Sequence, residues 1–318
     1  MAWPKGPPQF TDEDFTLFAR GFTDRDVPDQ AGRTFLVTGA NTGIGFESAR
    51  VLARHGARVL LGCRSEERAR AAIAAIRSES PEADLSFLQL DQADLGSVRS
   101  AAQQAAGEPR LDVLVNNAGI MGVPHALTKD GFESMFGVNH LGTFALTSLL
   151  LPKLQETGGS RVVITSSLAN RTARIFWDDI DAKKNFFSIT RYQQSKLANM
   201  LHLFELDRRL RAGGSGTIAV GCHPGVAVTD IGRNYALFPY AAPFLRFVFN
   251  TRKTGAWPTL RAATAPDAAS GDYYGPSNWA ETSGPAARAW AGVSSRDRVL
   301  GKRLWDLSIE MTGVDPGI

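Results

Sequence analysis

The feature that most constrains this chain is a regular alternation of short apolar runs with longer helical patterns. The apolar runs are rich in Val, Leu and Ile with little polar alternation, which is typical of strands buried on both faces. They cover residues 33–39, 57–63, 84–90, 111–117, 160–167 and 216–225. Helical patterns fill the intervals at residues 44–56, 65–79, 95–106, 130–156 and 190–212. The alternation predicts right-handed crossovers between parallel strands.

We therefore predict one α/β domain over residues 31–318: a doubly wound Rossmann-type fold with helices on both faces of a parallel sheet of about seven strands. "GDYYGP" at residues 271–276 is the candidate last strand, and residues 295–312 form a final amphipathic helix. Residues 1–30 are rich in Pro and Asp, and we interpret them as an N-terminal extension with a short helix over residues 12–20.

Composition excludes several classes of function. The net charge is only +3 and no long basic run occurs, so the sequence does not indicate nucleic-acid binding. Cys63 and Cys222 lie far apart in apolar runs and read as reduced, buried thiols, which favours a cytoplasmic location. The N-terminus lacks the apolar core of a secretory signal, and we predict neither a membrane span nor a metal site.

A glycine-rich loop, "TGANTGIG", joins the first predicted strand to the first helix. Glycines allow a tight turn and a close approach to a ligand, and the following helix N-terminus suits a pyrophosphate. The spacing is Gly-x-x-x-Gly-x-Gly, which differs from the usual dinucleotide motif, and a turn without a ligand remains an alternative. The predicted cofactor-binding residues here are Gly39, Asn41, Thr42, Gly43, Ile44 and Gly45.

The end of the second strand bears on the choice of dinucleotide. An NAD site usually has a carboxylate there, but this chain has Cys63 followed by Arg64. An arginine can pair with a 2′-phosphate, so we predict a preference for NADP(H) with NAD(H) left open. The alternative is that Arg64 is a solvated charge beside the next helix.

Polar residues also end the third and fourth strands. Asp91 and Gln92 follow the third strand, and Asp91 could accept from an adenine amino group or cap the next helix. "NNAG" ends the fourth strand, and we predict that it both contacts a ligand and stitches adjacent loops together. The predicted cofactor-binding residues here are Asp91, Gln92, Asn117, Ala118 and Gly119.

The fifth strand and the helix after it carry the candidate chemistry. Ser167 ends the strand, and Tyr192 and Lys196 lie four residues apart on one helix face. Carbonyl reduction needs a proton donor, and a nearby ammonium favours the phenolate of a tyrosine whose ordinary pKa is about 10. We predict Tyr192 as acid/base, Lys196 as its tuner and Ser167 as the residue that holds the substrate oxygen. The alternatives are that Ser167 caps the strand, that Tyr192 is a packing residue and that Lys196 is a surface charge.

These motifs, together with "VNHLG" and "HPG", resemble the short-chain dehydrogenase/reductases from about residue 31 to residue 313. "LLGCRS", "YQQSKLANMLHLFEL" and "LWDLSIEMTG" are similar to the retinol-dehydrogenase-like branch, which mostly uses NADP(H). The resemblance implies that Asn139 holds a water in a proton relay to Lys196, and that Lys196 and Tyr192 also contact the cofactor. It further implies that "HPGVAVT" holds the nicotinamide carboxamide through Pro224, Gly225, Val226 and Thr229.

The substrate side is apolar. A Phe-, Leu- and Tyr-rich segment at about residues 230–252 occupies the position of the family's substrate lid, which favours a retinoid, a steroid, or a long-chain or aromatic carbonyl or alcohol. A peripheral membrane contact and a subunit contact in a homo-oligomer remain alternatives for this segment. The stretch between Ser167 and Tyr192 is long, and its Trp177, Phe186 and Phe187 either wall the pocket or pack on the fold.

The leading hypothesis is an NADP(H)-dependent oxidoreductase acting on an apolar carbonyl or alcohol. The alternative from another class is a dinucleotide-sensing protein that has lost catalysis, although this chain keeps all four catalytic positions. An epimerase or dehydratase on the same fold is a third hypothesis, but the expected extension for nucleotide sugars is missing.

Overall fold

An eight-stranded sheet forms the centre of the computed structural model, which describes residues 21–226, 250–278 and 280–318. The strands are β1 (Thr34–Thr38), β2 (Arg58–Cys63), β3 (Leu85–Gln89), β4 (Val113–Asn116), β5 (Arg161–Thr165), β6 (Ile218–Cys222), β7 (Tyr273–Asn278) and β8 (Ser283–Arg288). Their order is β3-β2-β1-β4-β5-β6-β7-β8. The first seven strands run parallel and β8 is antiparallel to β7. The predicted doubly wound sheet is confirmed, with one antiparallel edge strand in addition.

Helices cover both faces of this sheet. They are α1 (Gly43–Arg54), α2 (Glu66–Glu79), α3 (Leu95–Ala106), α4 (Ser134–Thr157), α5 (Ser188–Ala212), α6 (Arg252–Gly255), α7 (Trp257–Thr264) and α8 (Arg298–Thr312). One turn of α4, Gly137–Leu141, is a π-helix. Short 3-10 helices occur at Asp24–Asp26, Leu168–Thr172 and Val293–Arg296.

The sheet separates two apolar cores. Phe35 and Val37 of β1 pack in the core that includes α1 and α7, whereas Leu36 between them packs in the core with α3, α4 and α5. Successive side chains of a strand point to opposite faces, so a strand with helices on both sides needs apolar residues at every position. This double burial explains the continuous apolar runs in the sequence.

Helix α4 passes the length and composition test for a membrane-crossing helix. However, 89% of its apolar window is buried inside the protein, where it packs against the sheet. Its apolar character is therefore accounted for by its place in the core.

The two edges of the sheet are partly covered. At the β3 edge, the Arg77 guanidinium donates to the carbonyls of Ala83 (3.4 Å) and Leu85 (3.1 Å). At the β8 edge, Phe22 pairs with Ala286 through backbone hydrogen bonds of 2.9 and 2.8 Å. The helix predicted over residues 12–20 lies outside the described residues.

Candidate active site

The glycine loop after β1 forms one wall of the crevice at the carboxyl ends of the strands. Gly39 and Gly43 have φ of +67° and +60°, a region that favours glycine. A Cβ on Gly45 would lie 2.4 Å from the Gly39 carbonyl oxygen, so α1 packs this close only without a side chain. The Thr42 side chain makes no capping hydrogen bond to α1. The first N–H groups of that helix are thus available to an anion.

Asn117 ties this loop to β4. Its side-chain amide donates to the Thr38 carbonyl (2.8 Å), and the Thr38 hydroxyl accepts from the backbone N–H of Asn117 (3.0 Å) and Ala118 (2.9 Å). The stitching role predicted from the sequence is therefore present. Thr38, which the sequence did not single out, is the acceptor on the β1 side.

Cys63 also supports the loop. Its buried thiol accepts hydrogen bonds from the backbone of Ala40 and Asn41, and burial raises its pKa to about 11, so it stays protonated at neutral pH. The next residue, Arg64, is exposed. Within the described ranges no carboxylate pairs with its guanidinium, which leaves it able to meet an anion at this edge.

The polar residues after β3 have separate partners. Asp94, not Asp91, caps α3 by accepting from Gly96 (2.8 Å) and Ser97 (3.3 Å), while Asp91 accepts from the Ala93 backbone (3.0 Å). The helix-cap alternative for Asp91 is therefore wrong, because Asp94 occupies the N-cap.

Gln92 is hydrogen-bonded to α4. Its buried amide donates to the carbonyl of Val138 (3.2 Å) and the hydroxyl of Thr143 (3.1 Å). The cofactor contacts of Asp91 and Gln92 stay predictions.

Ser167, Tyr192 and Lys196 converge beside the end of β5. Ser167 begins the 3-10 helix Leu168–Thr172 and shares a side-chain hydrogen bond with half-buried Tyr192. Lys196, one helical turn after Tyr192, is only 4% exposed, and its ammonium lies 5.8 Å from the centroid of the Tyr192 ring. The ammonium donates to the Thr165 carbonyl at 3.3 Å.

Burial dominates the electrostatics of this trio. It raises the pKa of Tyr192, with the hydrogen bond to Ser167 acting in the opposite direction. It lowers the pKa of Lys196 to about 8, because a buried ammonium loses its hydration. The lowering of the tyrosine pKa expected from Lys196 is thus outweighed by burial in the protein alone.

Asn139 lies in the π-helical turn of α4 and is fully buried. Its carbonyl oxygen accepts from the Ile120 backbone (2.7 Å), and its amide donates to the Ile120 carbonyl and the Ser195 hydroxyl, both at 2.9 Å. A Cβ on Gly119 would lie 3.2 Å from Asn139 Oδ1 and 3.3 Å from Lys196 Nζ. Three site residues predicted from separate motifs, Gly119, Asn139 and Lys196, therefore come together.

The turn after β6 closes the crevice on the other side. Gly225 has φ of +72°, and a Cβ there would lie 2.3 Å from the Thr282 carbonyl oxygen. The Val226 backbone donates to that carbonyl (2.9 Å), and Asn250 donates to the Pro224 carbonyl (2.8 Å). Thr229 and residues 230–249 of the predicted lid lie outside the described residues.

The long segment before α5 is anchored by a buried arginine that sequence reasoning missed. Arg191, next to Tyr192, is 2% exposed and pairs with Asp179 at 2.6 Å while also donating to the carbonyls of Asp179 and Asn185. The amphipathic pattern of α5 gives no sign of a charged residue buried beneath a loop.

The aromatic residues of this segment divide between packing and exposure. Trp177 packs under the Arg303 guanidinium (4.1 Å to the ring centroid) against the core shared with α8. Phe186 contacts the His125 ring edge-on at 5.0 Å. Phe187 and Ile189 are 68% and 59% exposed at the start of α5. Ile189 precedes Tyr192 by three residues and so lies on the same helix face.

In the described part of the chain, no group of three or more His, Cys, Asp or Glu side chains could hold a metal ion.

Comparison with known proteins identifies similar chains. The family model described as short chain dehydrogenase matches residues 33–235. Retinol dehydrogenase 12 of Mus musculus is 39% identical over 303 residues, covering 94% of this chain and 92% of that protein. Retinol dehydrogenase 13 of Homo sapiens is 39% identical over 294 residues, covering 89% of this chain and 86% of its own length.

Solved structures agree on the fold. An uncharacterized protein from Mycobacterium paratuberculosis superposes with a TM-score of 0.79 at 38% identity, covering 94% of this chain and 100% of that one. A short chain dehydrogenase from Burkholderia cenocepacia in complex with NADP gives a TM-score of 0.59 at 28% identity, covering 74% of this chain and 92% of that one.

Proposed function

This chain belongs to the retinol-dehydrogenase-like branch of the short-chain dehydrogenases, and from that premise we propose that it transfers a hydride between NADP(H) and an apolar carbonyl or alcohol. Members are NAD(P)-dependent enzymes that act on CH–OH or C=O groups. The observation that carries the proposal is the convergence of Ser167, Tyr192 and Lys196 beside the glycine loop.

The residues present fit a dinucleotide. The Gly39–Gly45 contact leaves a cradle that a Cβ would fill, and the uncapped start of α1 faces it. Arg64 is the residue we assign to the 2′-phosphate, and the NADP complex of the Burkholderia relative is consistent with that assignment. The backbone at Pro224, Gly225 and Val226, with Thr229, would hold the carboxamide. Asp91, Gln92 and residues 117–119 would line the rest of the site.

In the reduction direction, Tyr192 donates its hydroxyl proton to the substrate oxygen as the carbon receives hydride. When bound, a nicotinamide dinucleotide would supply that hydride, or accept it in the oxidation direction. Ser167 donates a hydrogen bond that holds the oxygen beside Tyr192. Burial raises the pKa of Tyr192 and opposes a phenolate, so formation of the phenolate in the oxidation direction would depend on the charge of Lys196 together with that of a bound oxidised nicotinamide. Asn139, which lies in the π-helical turn of α4, would hold a water in a proton relay to Lys196.

The substrate is apolar in this proposal. Ile189 and Phe187 are exposed near Tyr192, and the lid segment is rich in aromatic residues. The names of the retinol dehydrogenase relatives point to a retinoid among the candidates. We also propose that residues 31–318 form a single domain and that the protein is cytoplasmic. A contact of the lid segment with a membrane or with another subunit is a further proposal.

The decisive test is Tyr192→Phe. We expect kcat to fall about 10²–10⁴-fold, because general acid–base catalysis is lost, while NADPH still binds. Turnover would be measured with all-trans-retinal and a panel of ketones and alcohols, and NADPH binding by fluorescence. Near-normal activity of the variant would contradict the mechanism.

A matched control is Tyr274→Phe, which also removes one hydroxyl. Tyr274 donates to Asp272 at 2.7 Å and packs in the core on the α1 side, away from the crevice. It should keep wild-type turnover. If the wild type binds NADPH but turns over no compound in the panel, the dinucleotide-sensing alternative gains support instead.

A further inference from the structure

We propose that Glu281 is a positioning residue that fixes the His223–Gly225 turn against the helical turn after Ser167. This inference rests on the proposed function, since it concerns how the hydride-transfer site is kept in register. Glu281 lies in the β7–β8 hairpin, at the far end of the chain from the motifs that carry the chemistry. It contacts both walls of the crevice through the residues described next.

His223 links Glu281 to the turn. Its imidazole is fully buried, with Nε2 2.8 Å from Glu281 Oε2, and Nδ1 accepts from the Gly225 backbone at 3.1 Å. Because Nδ1 accepts an N–H, the proton lies on Nε2 and is donated to the carboxylate. The ring abuts Gly275, where a Cβ would come within 2.0 Å of Nε2. These contacts hold the imidazole where it supports Gly225.

Arg171 links Glu281 to the other wall. Its guanidinium pairs with the same oxygen of Glu281 and donates to the Trp290 carbonyl at 3.1 Å. The second oxygen of Glu281 accepts from the Trp290 backbone at 3.0 Å. Arg171 belongs to the 3-10 helix that begins at Ser167. One carboxylate thus joins the serine-bearing turn, the turn after β6 and the segment after β8.

The charges around Glu281 agree with this arrangement. Burial alone would raise its pKa, but the hydrogen bond from His223 and the charge of Arg171 outweigh burial, and the pKa is lowered. Burial also lowers the pKa of His223, which keeps the imidazole neutral. Among the described residues, Arg171 and His223 are the charged or titratable groups that shift the pKa of this carboxylate.

The hairpin backbone is held in an unfavourable conformation at this point. Ala280 and Glu281 have φ of +49° and +64°, which L-residues rarely adopt and which costs free energy. The adjacent Thr282 carbonyl accepts from Val226 and abuts Gly225. The hairpin therefore supports the turn twice, once through the Glu281 side chain and once through its backbone. The carboxamide-binding backbone that we propose at residues 224–226 inherits its position from these contacts.

The test substitutes Glu281→Gln, which keeps the shape and removes the charge. Single-turnover reduction of all-trans-retinal, or of the carbonyl that wild type reduces fastest, should slow about 10- to 100-fold, because small displacements of reacting groups are costly. The primary isotope effect with 4-deuterated NADPH should rise, and the fluorescence emission of bound NADPH should shift. The dissociation constant of NADPH should change much less.

Two His223 variants each keep one of the two hydrogen bonds of the imidazole. His223→Asn keeps an acceptor near Nδ1 for Gly225, and His223→Gln keeps a donor near Nε2 for Glu281. We expect both to slow hydride transfer and raise the isotope effect. Glu205→Gln is the structural control. Glu205 is a buried carboxylate paired with Arg208 and Arg209, and it lies roughly 20 Å from Tyr192 along α5. It should lower Tm without changing the isotope effect.

Wild-type hydride-transfer rate, isotope effect and bound-NADPH emission in Glu281→Gln would overturn the inference, even with a lowered Tm. If the wild type reduces no carbonyl, the proposed function fails, and the emission of bound NADPH still decides the positioning role. An unshifted emission in Glu281→Gln overturns it in that case also.

Discussion

At the scale of single residues, Lys196 is a charge that the fold buries at a cost. Its pKa is lowered from 10.5 to about 8, which corresponds to about 3 kcal/mol against the protonated form in the folded state. The unfolded chain therefore binds more protons at this lysine between pH 8 and pH 10.5. The cost is fully present below pH 8 and fades as the pH rises to 10.5.

Lys196→Met should consequently raise stability at pH 7 while it abolishes turnover. The gain is at most about 3 kcal/mol, and it should shrink as the pH approaches 10. The Thr165 carbonyl does not become unpaired, because Asn199 donates to it at 3.1 Å. Thermal unfolding from pH 6 to pH 10 measures the effect, and Lys302→Met, at an exposed lysine paired with Asp306, is the control. A variant less stable than wild type at pH 7 would contradict this account.

Sequence predicts proximity best where the residues concerned are close together in the chain. Tyr192 and Lys196 are one helical turn apart, and the glycines of the loop adjoin a strand end, so the motifs bring these groups into consideration. Glu281 meets His223 and Arg171 across 58 and 110 residues of sequence. No periodicity marks such a contact, because it depends on how the β7–β8 hairpin returns to the crevice.

At the scale of elements, the segment before α5 depends on one buried ion pair. Asp179 accepts from the backbone of Lys184 (3.0 Å) and Asn185 (3.2 Å) and pairs with Arg191. Asp179→Asn should loosen the segment and lower kcat about tenfold, because Arg191 directly precedes Tyr192. Limited proteolysis of the segment and steady-state kinetics measure both effects. Asp178→Asn, at the exposed neighbour, should behave as wild type, and equal effects of the two variants would refute the anchoring role.

Most elements were predictable because burial on one face or two leaves a period in the sequence. The structure confirms strands β1 to β7 and five of the helices between them within a few residues. Strand β8, "SGPAAR", was missed because it is a short edge strand with no apolar run. The π-turn of α4 was also missed, since the pattern at residues 130–156 reads as one continuous helix. Its single extra residue shows in the backbone, where the Gly142 N–H donates to the Gly137 carbonyl five residues earlier.

At the scale of the whole molecule, cofactor binding and folding are coupled. A ligand at 100 times its Kd adds about 2.7 kcal/mol to stability, so thermal shift ranks dinucleotides without a known substrate. NADPH should raise Tm more than NADH at equal concentration. Arg64→Asp should reverse that order by repelling the 2′-phosphate and accepting from the ribose hydroxyl. Arg70→Asp, at an exposed arginine of α2 paired with Glu66, should leave the order of the NADPH and NADH effects on Tm unchanged. An unchanged order in Arg64→Asp would refute the role of Arg64.

The hydrogen bonds from Arg77 at the β3 edge affect how copies of this protein can associate. Strands at open edges present rows of unpaired carbonyls that can template another chain. Here a guanidinium already occupies the carbonyls of Ala83 and Leu85, and Phe22 is hydrogen-bonded along β8 at the opposite edge. Continuation of the sheet into a neighbouring molecule is therefore disfavoured on both sides. The protein should therefore resist edge-to-edge aggregation when concentrated.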